Sequence, residues 1–126
     1  MKPTEIANLF KKSPETRLKF FLETVEKSQT VYGLADEEGW ALLGNEDEED
    51  DTDILPLFPN AVIAEAFRKA VGFSAYTVEA IPVEELLEWL EDMELDGTLI
   101  AVLPNPQLDG MVLDAADLKA TLTNNE

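Results

Sequence analysis

Residues 31–59, VYGLADEEGWALLGNEDEEDDTDILPLFP, decide the fold of this chain. Three short runs rich in apolar residues, VYGLA, GWALL and ILPLFP, predict three β-strands. The DEEG segment between the first two predicts a tight antiparallel hairpin with Gly39 in a left-handed conformation. Gly33 indicates a bulge or a close backbone contact, and Pro56 indicates an edge strand or a strand that ends there. A very acidic loop joins the second and third strands.

The segments on either side predict helices and strands that cover and extend this sheet. Thr4 as an N-cap predicts a leading helix within residues 1–12, and Ser13 as an N-cap predicts a second, longer helix. Asn60 and Gly72 mark the start and the end of a third helix, AVIAEAFRKAV. Further helices are predicted at VEELLEWLEDMEL and AADLKATL, and further strands at YTVEAI, TLIAVL and MVL.

Together these elements predict an α+β (mixed α/β) fold. We expect a single sheet of five or six strands with an antiparallel N-terminal hairpin, covered by four or five helices. We expect a single domain, residues 1–126, with residues 123–126 as a frayed tail. TLIAVL is nearly all apolar and predicts a central strand. The residues expected to be best buried are Phe21, Val25, Leu34, Trp40, Leu42, Phe67, Leu86, Leu90, Ile100 and Val102.

Three longer runs, VYGLADEEGWALL, ILPLFPNAVIAEAF and YTVEAIPVEELLEWLEDMELDGTLIAVLPNP, resemble in this order the bacterial domain-of-unknown-function family 2750. The resemblance covers roughly residues 18–122. Tyr32 and Phe58 stand where that family usually has Trp, and Leu103 stands where Phe is common. The C-terminal run GTLIAVLPNPQLDGMVLDAADLKATL is similar, more weakly, to the N-terminal domain of the SseB type. The resemblance implies a compact bacterial cytoplasmic domain and brings with it no reaction, cofactor or assigned site.

The charge of the chain is strongly negative and unevenly distributed. The net charge is −18. Residues 1–27 hold six Lys and Arg against four Glu, whereas the remainder holds three against 23 acidic residues. Because binding to phosphates or to an anionic membrane needs clustered basic residues, this balance disfavours direct contact with nucleic acid or membrane. It favours a basic protein partner, and the alternative is that the charge serves only solubility.

Location and oligomeric state are less constrained. No apolar run reaches the ~18–20 residues that span a bilayer. The N-terminal MKPTEIANLFKKSPE lacks the pattern of a signal peptide, so a cytoplasmic location is expected. The sequence leaves the oligomeric state open.

The composition excludes several catalytic chemistries. The chain has no His and no Cys, which excludes Ser–His and Cys–His nucleophile pairs, imidazole metal ligands and disulfides. The glycines do not have the spacing of a phosphate-binding loop. Carboxylates are abundant, so a small-molecule-binding or carboxylate-dependent enzymatic domain stays open as the alternative. We assign no catalytic, cofactor-binding or metal-binding residue and expect a non-enzymatic protein.

The acidic loop at residues 45–53 admits two interpretations. Its oxygen ligands suit Ca²⁺ or Mg²⁺, but an EF-hand loop that starts at Asp47 needs Gly sixth and Glu twelfth. Those positions hold Thr52 and Phe58, so we interpret the segment as a solvated loop whose like charges repel each other. As a hypothesis, its acids and one tryptophan bind a partner: Asp47, Glu48, Glu49, Asp50, Asp51 and Trp89.

Four aromatic residues, Tyr32, Trp40, Phe58 and Trp89, either line a binding groove or pack in the core, and core is the usual outcome. Trp89 lies on the flank of its helix's apolar stripe, where exposure would indicate a contact surface.

Two classes of function are therefore left open by the sequence. One is an acidic interaction module that binds a basic patch, with nucleic-acid mimicry as a weaker version. The other is a carboxylate-lined small-molecule or enzymatic site.

Overall fold

Five helices and seven short strands make up the part of the chain that the computed structural model describes. That part comprises residues 2–37, 39–41, 43–44, 53–73, 75–106 and 110–124. In chain order the elements are α1 (Pro3–Phe10), α2 (Pro14–Ser28), β1 (Thr30–Asp36), β2 (Gly39–Trp40), β3 (Leu43–Gly44), β4 (Asp53–Leu57), α3 (Ala61–Val71), β5 (Thr77–Pro82), α4 (Val83–Asp96), β6 (Leu99–Val102), β7 (Met111–Asp114) and α5 (Ala115–Asn124). The α+β class and the number of helices agree with the prediction.

The strands form two sheets. In the first, β1 lies between β2 and β5 and is antiparallel to both. The second has the order β3-β4-β6-β7, with β4 and β6 parallel and the outer pairs antiparallel. The predicted antiparallel hairpin and the central position of β6 are confirmed. The predicted single sheet is not confirmed, because in the described chain one isolated residue pair joins the two sheets, Tyr32 of β1 with Phe58, which follows β4.

Pro56 lies where β4 changes its strand partner. The first two residues of β4 pair with β3. Phe58, just past the strand, exchanges two backbone hydrogen bonds of 2.8 and 2.9 Å with Tyr32 of β1. Because the Leu57 carbonyl accepts from the Leu103 N–H on the β6 side, Pro56 directs its backbone to the opposite side, between β3 and β1. Of the two alternatives for Pro56, the edge strand is wrong, because β4 is internal, whereas the strand does end at Leu57, the residue after the proline. Pro56 occupies a gap where no N–H is needed.

Three helix boundaries follow from the predicted capping residues. The Ser13 hydroxyl accepts a hydrogen bond from the Thr16 N–H at 3.3 Å at the start of α2. The Asn60 side chain accepts from the Ile63 N–H at 2.9 Å at the start of α3. Gly72 ends α3 with a φ of 79°, a conformation that favours glycine. Local capping chemistry therefore determines where these helices begin and end.

The leading helix begins earlier than predicted. α1 starts at Pro3, so Thr4 lies inside its first turn and is not its cap. Lys2 precedes the helix without a side-chain cap, because the fixed φ of proline already favours a first helical turn. Ile6 and Leu9 are buried and attach α1 to the core.

The core contains eight of the ten residues predicted to be best buried: Phe21, Val25, Leu34, Phe67, Leu86, Leu90, Ile100 and Val102. Trp40 is half-buried instead, and Leu42 lies outside the described residues. At the C-terminus, α5 extends to Asn124, two residues into the predicted frayed tail. The single-domain organisation stays a prediction.

Arg17 of α2 lies within this core, with only 1% of its surface exposed. Its Nη1 donates to the Leu103 carbonyl at 2.9 Å, and its Nε donates to the Lys12 carbonyl at 3.1 Å. Leu103 directly follows β6 and has a φ of 47°, a conformation that is uncommon for a residue with a side chain. Because burying a charge is costly without hydrogen bonds, these bonds fix α2 against the end of β6.

Candidate functional site

The five acidic loop residues of the partner-binding hypothesis, Asp47, Glu48, Glu49, Asp50 and Asp51, lie outside the described residues. The strands on either side are described. Gly44 of β3 and Asp53 of β4 are antiparallel partners, so the loop joins neighbouring strands of the second sheet. Trp89 is described, and the candidate site is built from it.

Trp89 lies half-buried on α4 and packs against Trp40 of β2. The ring centroids are 5.4 Å apart, and the ring planes meet at 61° in an edge-to-face arrangement. α4 buries Leu86 and Leu90, so Trp89 lies on the flank of the buried stripe, as predicted from its spacing. Both tryptophans of the chain therefore meet at one place, partly covered by the core and partly open to solvent.

Gly33 of β1 provides the space that the Trp40 ring occupies. A Cβ atom at this position would lie 3.0 Å from Cζ3 and 3.2 Å from Cε3 of Trp40. These distances are tighter than nine in ten contacts of real Cβ atoms, so a side chain here would require the ring to shift by a few tenths of an ångström. Ala35, two residues along β1, is the register partner of Trp40. Of the two alternatives for Gly33, the bulge is absent from the continuous β1–β5 register. A close approach to the Gly33 backbone is present, and the approaching group is an indole side chain rather than another backbone.

The two tryptophans line a groove of about 730 Å³. Four acidic residues share its lining: Asp36, Glu37, Glu79 and Glu85. Glu85 lies one helical turn before Trp89, so both side chains emerge on the same side of α4. Glu79 of β5 faces Gly33 across the strand pair, on the side where Trp40 packs. The described lining contains no Lys or Arg, so the groove combines aromatic surface with negative charge.

Two of these carboxylates are oriented by hydrogen bonds. Asp36 Oδ1 accepts from the Gly39 N–H at 3.1 Å, which closes the β1–β2 turn. Glu79 Oε1 accepts from the Thr77 hydroxyl at 3.0 Å on the same strand. An ionised carboxylate offers about four acceptor sites, so Glu79 can also accept hydrogen bonds from a ligand.

The groove is chemically suited to a cation. A Lys or Arg side chain over the face of an indole ring gains about 0.5–1 kcal/mol at an exposed site. Carboxylates add charge-assisted hydrogen bonds to the same cation. Metal binding has no comparable basis, since the described residues contain no group of three or more His, Cys, Asp or Glu arranged to hold a metal ion.

α4 is also connected to α5 by an ion pair. Lys119 Nζ lies 2.5 Å from Glu91 Oε1, and its hydrogen bond lowers the pKa of that carboxyl group. A second pair joins Glu65 and Arg68 within α3, where the hydrogen bond from Arg68 lowers the pKa of Glu65. The first pair helps to hold in place the helix that carries Trp89.

The sequence names Trp40 and Trp89 together as possible groove residues but favours core packing for Trp40. It does not point to the four acidic residues of the groove, which come from the end of β1, the turn, β5 and α4. The sequence feature that indicates the groove is Gly33, beside the predicted hairpin, because a glycine inside a strand often marks the close approach of another group.

No helix in the described part of the chain has the length and apolar character of a membrane-spanning segment.

A family model described as "Protein of unknown function (DUF2750)" matches residues 18–122. This range includes both tryptophans and the four groove carboxylates, whereas α1 precedes it. The resemblance to this family is thereby confirmed over the predicted range, and the similarity to the SseB-type domain stays a prediction. No curated protein matches the chain.

Proposed function

We propose that this chain, which belongs to the DUF2750 family of proteins of unknown function, is a non-enzymatic interaction module that binds a basic segment of a partner protein. The observation that carries this proposal is the meeting of Trp40 and Trp89 in a groove lined by four acidic residues. A cytoplasmic partner fits the expected location of the chain.

In this proposal a Lys or Arg side chain of the partner enters the groove and lies against an exposed indole face. Glu79 of β5 and Glu85 of α4, which both line the groove, accept hydrogen bonds from its cationic group. Each contact is individually weak in water, since exposed ion pairs contribute about 0.2–1 kcal/mol. Useful affinity therefore requires several basic residues along the partner segment.

The acidic loop, residues Asp47 to Asp51, has a different role in the proposal. Together with the net charge of −18, it attracts the basic partner before contact. Long-range attraction of this kind raises the association rate and weakens as salt screens it, with a Debye length of about 8 Å at physiological ionic strength. Neutralising the loop is therefore expected to lower the association rate more than it raises the dissociation rate.

The test uses tryptophan fluorescence, because both tryptophans of the chain line the groove. Hexa-arginine and hexalysine peptides are titrated against the protein at low and at physiological salt. We expect a saturable emission change, and a weakening by about twofold to 25-fold in the double variant Glu79→Gln/Glu85→Gln.

A matched control removes the same two charges from α2, outside the groove, in Glu15→Gln/Glu23→Gln. If binding depends on the groove, this control retains the affinity of the unmodified protein. Equal weakening in both double variants would mean that only total charge matters and would overturn the proposal. A pull-down from lysate at low and high salt then identifies the partner.

The alternative is a small-molecule-binding or carboxylate-dependent enzymatic domain. The volume of the Trp groove, about 730 Å³, supports it, because small-molecule sites usually have ~300–1,000 Å³. It predicts that a metabolite raises the melting temperature of the protein while basic peptides leave the tryptophan emission unchanged.

A further inference from the structure

A second groove, between α1 and α3, is lined mainly by apolar residues, in contrast to the acidic groove at the two tryptophans. Its volume is about 660 Å³, within the usual range of ~300–1,000 Å³ for small-molecule sites. Ile6 and Phe10 contribute to it from α1, and Val62 and Ala66 contribute from α3. Val62 is 47% exposed, although most large apolar side chains of the described chain are covered. Small-molecule sites are typically grooves lined by apolar side chains with a few polar groups.

The packing of α1 keeps this groove open. Ile6 is buried beneath the helix, and the Asn105 side-chain amide donates to the Phe10 carbonyl at 3.4 Å, at the end of the helix. The helix is therefore held at both its middle and its end. Small side chains line both walls and leave the space between the helices unfilled: Ala7, Ala61, Ala66 and Ala70.

The charges at this groove favour an anion. Its described lining includes two charged residues, Glu65 and Lys69. Arg68 bonds the Glu65 carboxylate, with its Nε 3.1 Å from Oε2, and so compensates the negative charge. The ammonium group of Lys69 is then the charge that a ligand meets. The flanking residues 1–27 are also the part of the chain that is not acidic.

We infer that the α1–α3 groove binds a fatty-acid-type amphiphile, with its hydrocarbon chain along the apolar walls and its carboxylate paired with Lys69. An apolar groove with a cation at its edge matches a ligand that has one apolar chain and one anionic group. This inference does not depend on the proposed binding of basic segments, because the two grooves share no lining residue and α1 precedes the family-matched region.

Calorimetry with octanoate, decanoate and dodecanoate, each below its micelle concentration, tests the inference. Each additional methylene group buried in the groove increases the affinity about fourfold, so each step of two carbons increases it about 15-fold. The tryptophan emission is expected to stay constant, because neither tryptophan lines this groove. Absence of binding, or an affinity independent of chain length, overturns the inference.

Two substitutions test the apolar walls, and a third provides the control. Val62→Asp places a charge in the groove, and Ala66→Trp fills it, so both are expected to abolish dodecanoate binding. Val112→Asp is the matched control, because Val112 is 44% exposed on β7, away from the groove lining. An equal loss in the Val112 variant indicates nonspecific adsorption of the amphiphile and contradicts the assigned site.

The headgroup contact has a separate test. Lys69→Met is expected to weaken decanoate binding by up to about fivefold and to leave the binding of decanol unchanged. If both ligands weaken equally, Lys69 does not pair with the carboxylate. Sedimentation velocity excludes a different occupant: if the protein is a dimer that Val62→Asp converts to monomer, a second copy of the chain covers the groove and the inference is wrong.

Discussion

Replacing Arg17 by methionine tests the claim that a buried guanidinium holds α2 against the end of β6. Methionine is apolar and adaptable in shape, so Arg17→Met fills most of the site and leaves only a small cavity. The change removes the hydrogen bonds to the Leu103 and Lys12 carbonyls. It therefore isolates the polar contribution of the side chain from its volume.

The expected cost follows from the environments of the two carbonyls. The bond to Leu103 is buried, and an unsatisfied buried acceptor costs about 1–3 kcal/mol. The bond to Lys12 is only partly buried, so water replaces it at a cost of about 0.5–1 kcal/mol. The two terms together predict that the free energy of unfolding falls by about 1.5–4 kcal/mol.

Urea denaturation followed by circular dichroism measures this loss. With a slope of about 2 kcal/mol/M, the middle of the usual range in urea, the midpoint should fall by about 0.8–2 M while the slope is unchanged. Lys19→Met removes the same charge at an exposed position of the same helix and should leave the midpoint nearly unchanged. Arg17→Lys keeps the charge without the planar fork and should lie between them. An Arg17→Met protein as stable as the unmodified one would refute the reasoning.

Two further predictions concern the Trp groove and the α4–α5 ion pair. Gly33→Val should displace the Trp40 ring, shift the tryptophan emission to longer wavelength and cost about 1–3 kcal/mol of stability in urea, as overpacking does. Glu91→Gln should flatten the acid limb of the stability curve, measured by urea midpoints between neutral and acidic pH. Lys119 lowers the pKa of Glu91 in the folded state, so the pair stabilises the folded protein at pH values above 4.5, the ordinary pKa of the carboxyl group. This stabilisation is lost as the pH falls through the lowered pKa.

Both predictions have neighbouring controls. Ala35→Val adds bulk to β1 next to the same ring, and an emission shift as large as that of Gly33→Val would contradict the specific contact at Gly33. Glu94→Gln removes one exposed charge from the same helix as Glu91, and identical acid limbs for the two variants would contradict a role for the ion pair.

The elements that the sequence predicted well are those determined by adjacent residues. Ser13 and Asn60 cap helices through N–H groups three positions away, and Gly72 ends a helix through its own φ angle. The β1–β2 hairpin likewise depends on a turn of a few residues. The prediction that Thr4 caps α1 is wrong, because Pro3 is the first residue of the helix. Both residue types favour a helix start, and their spacing does not show which one begins the helix.

The division into two sheets could not be predicted in the same way. It depends on how little β1 pairs with the segment that ends β4: in the described chain this pairing is limited to Tyr32 and Phe58, which lie far apart in sequence. The sequence showed that Pro56 would interrupt a ladder. It did not show that the interruption would lie inside a sheet, since the proline itself is compatible with either position.

The candidate site was predicted only in part, for the same reason. Trp89 was selected from its place on one helix, but its contact with Trp40 depends on how α4 packs on the first sheet. The burial of Arg17 could be predicted from helical periodicity, because Arg17 lies four residues before Phe21 and eight before Val25, on the buried face of α2. Its charge made a solvent-facing position seem more natural than a buried one.

The backbone bridge between Tyr32 and Phe58 has a consequence for how the protein opens. Each of these two amides donates to a carbonyl of the other sheet, so each is protected from hydrogen exchange only while both sheets are closed. Their exchange therefore follows the less stable of the two sheets, whereas amides within β6 report on the second sheet alone. If all of these amides exchange with one common free energy, the two sheets unfold as a single cooperative unit. If the bridge exchanges first, the protein contains two units that open separately.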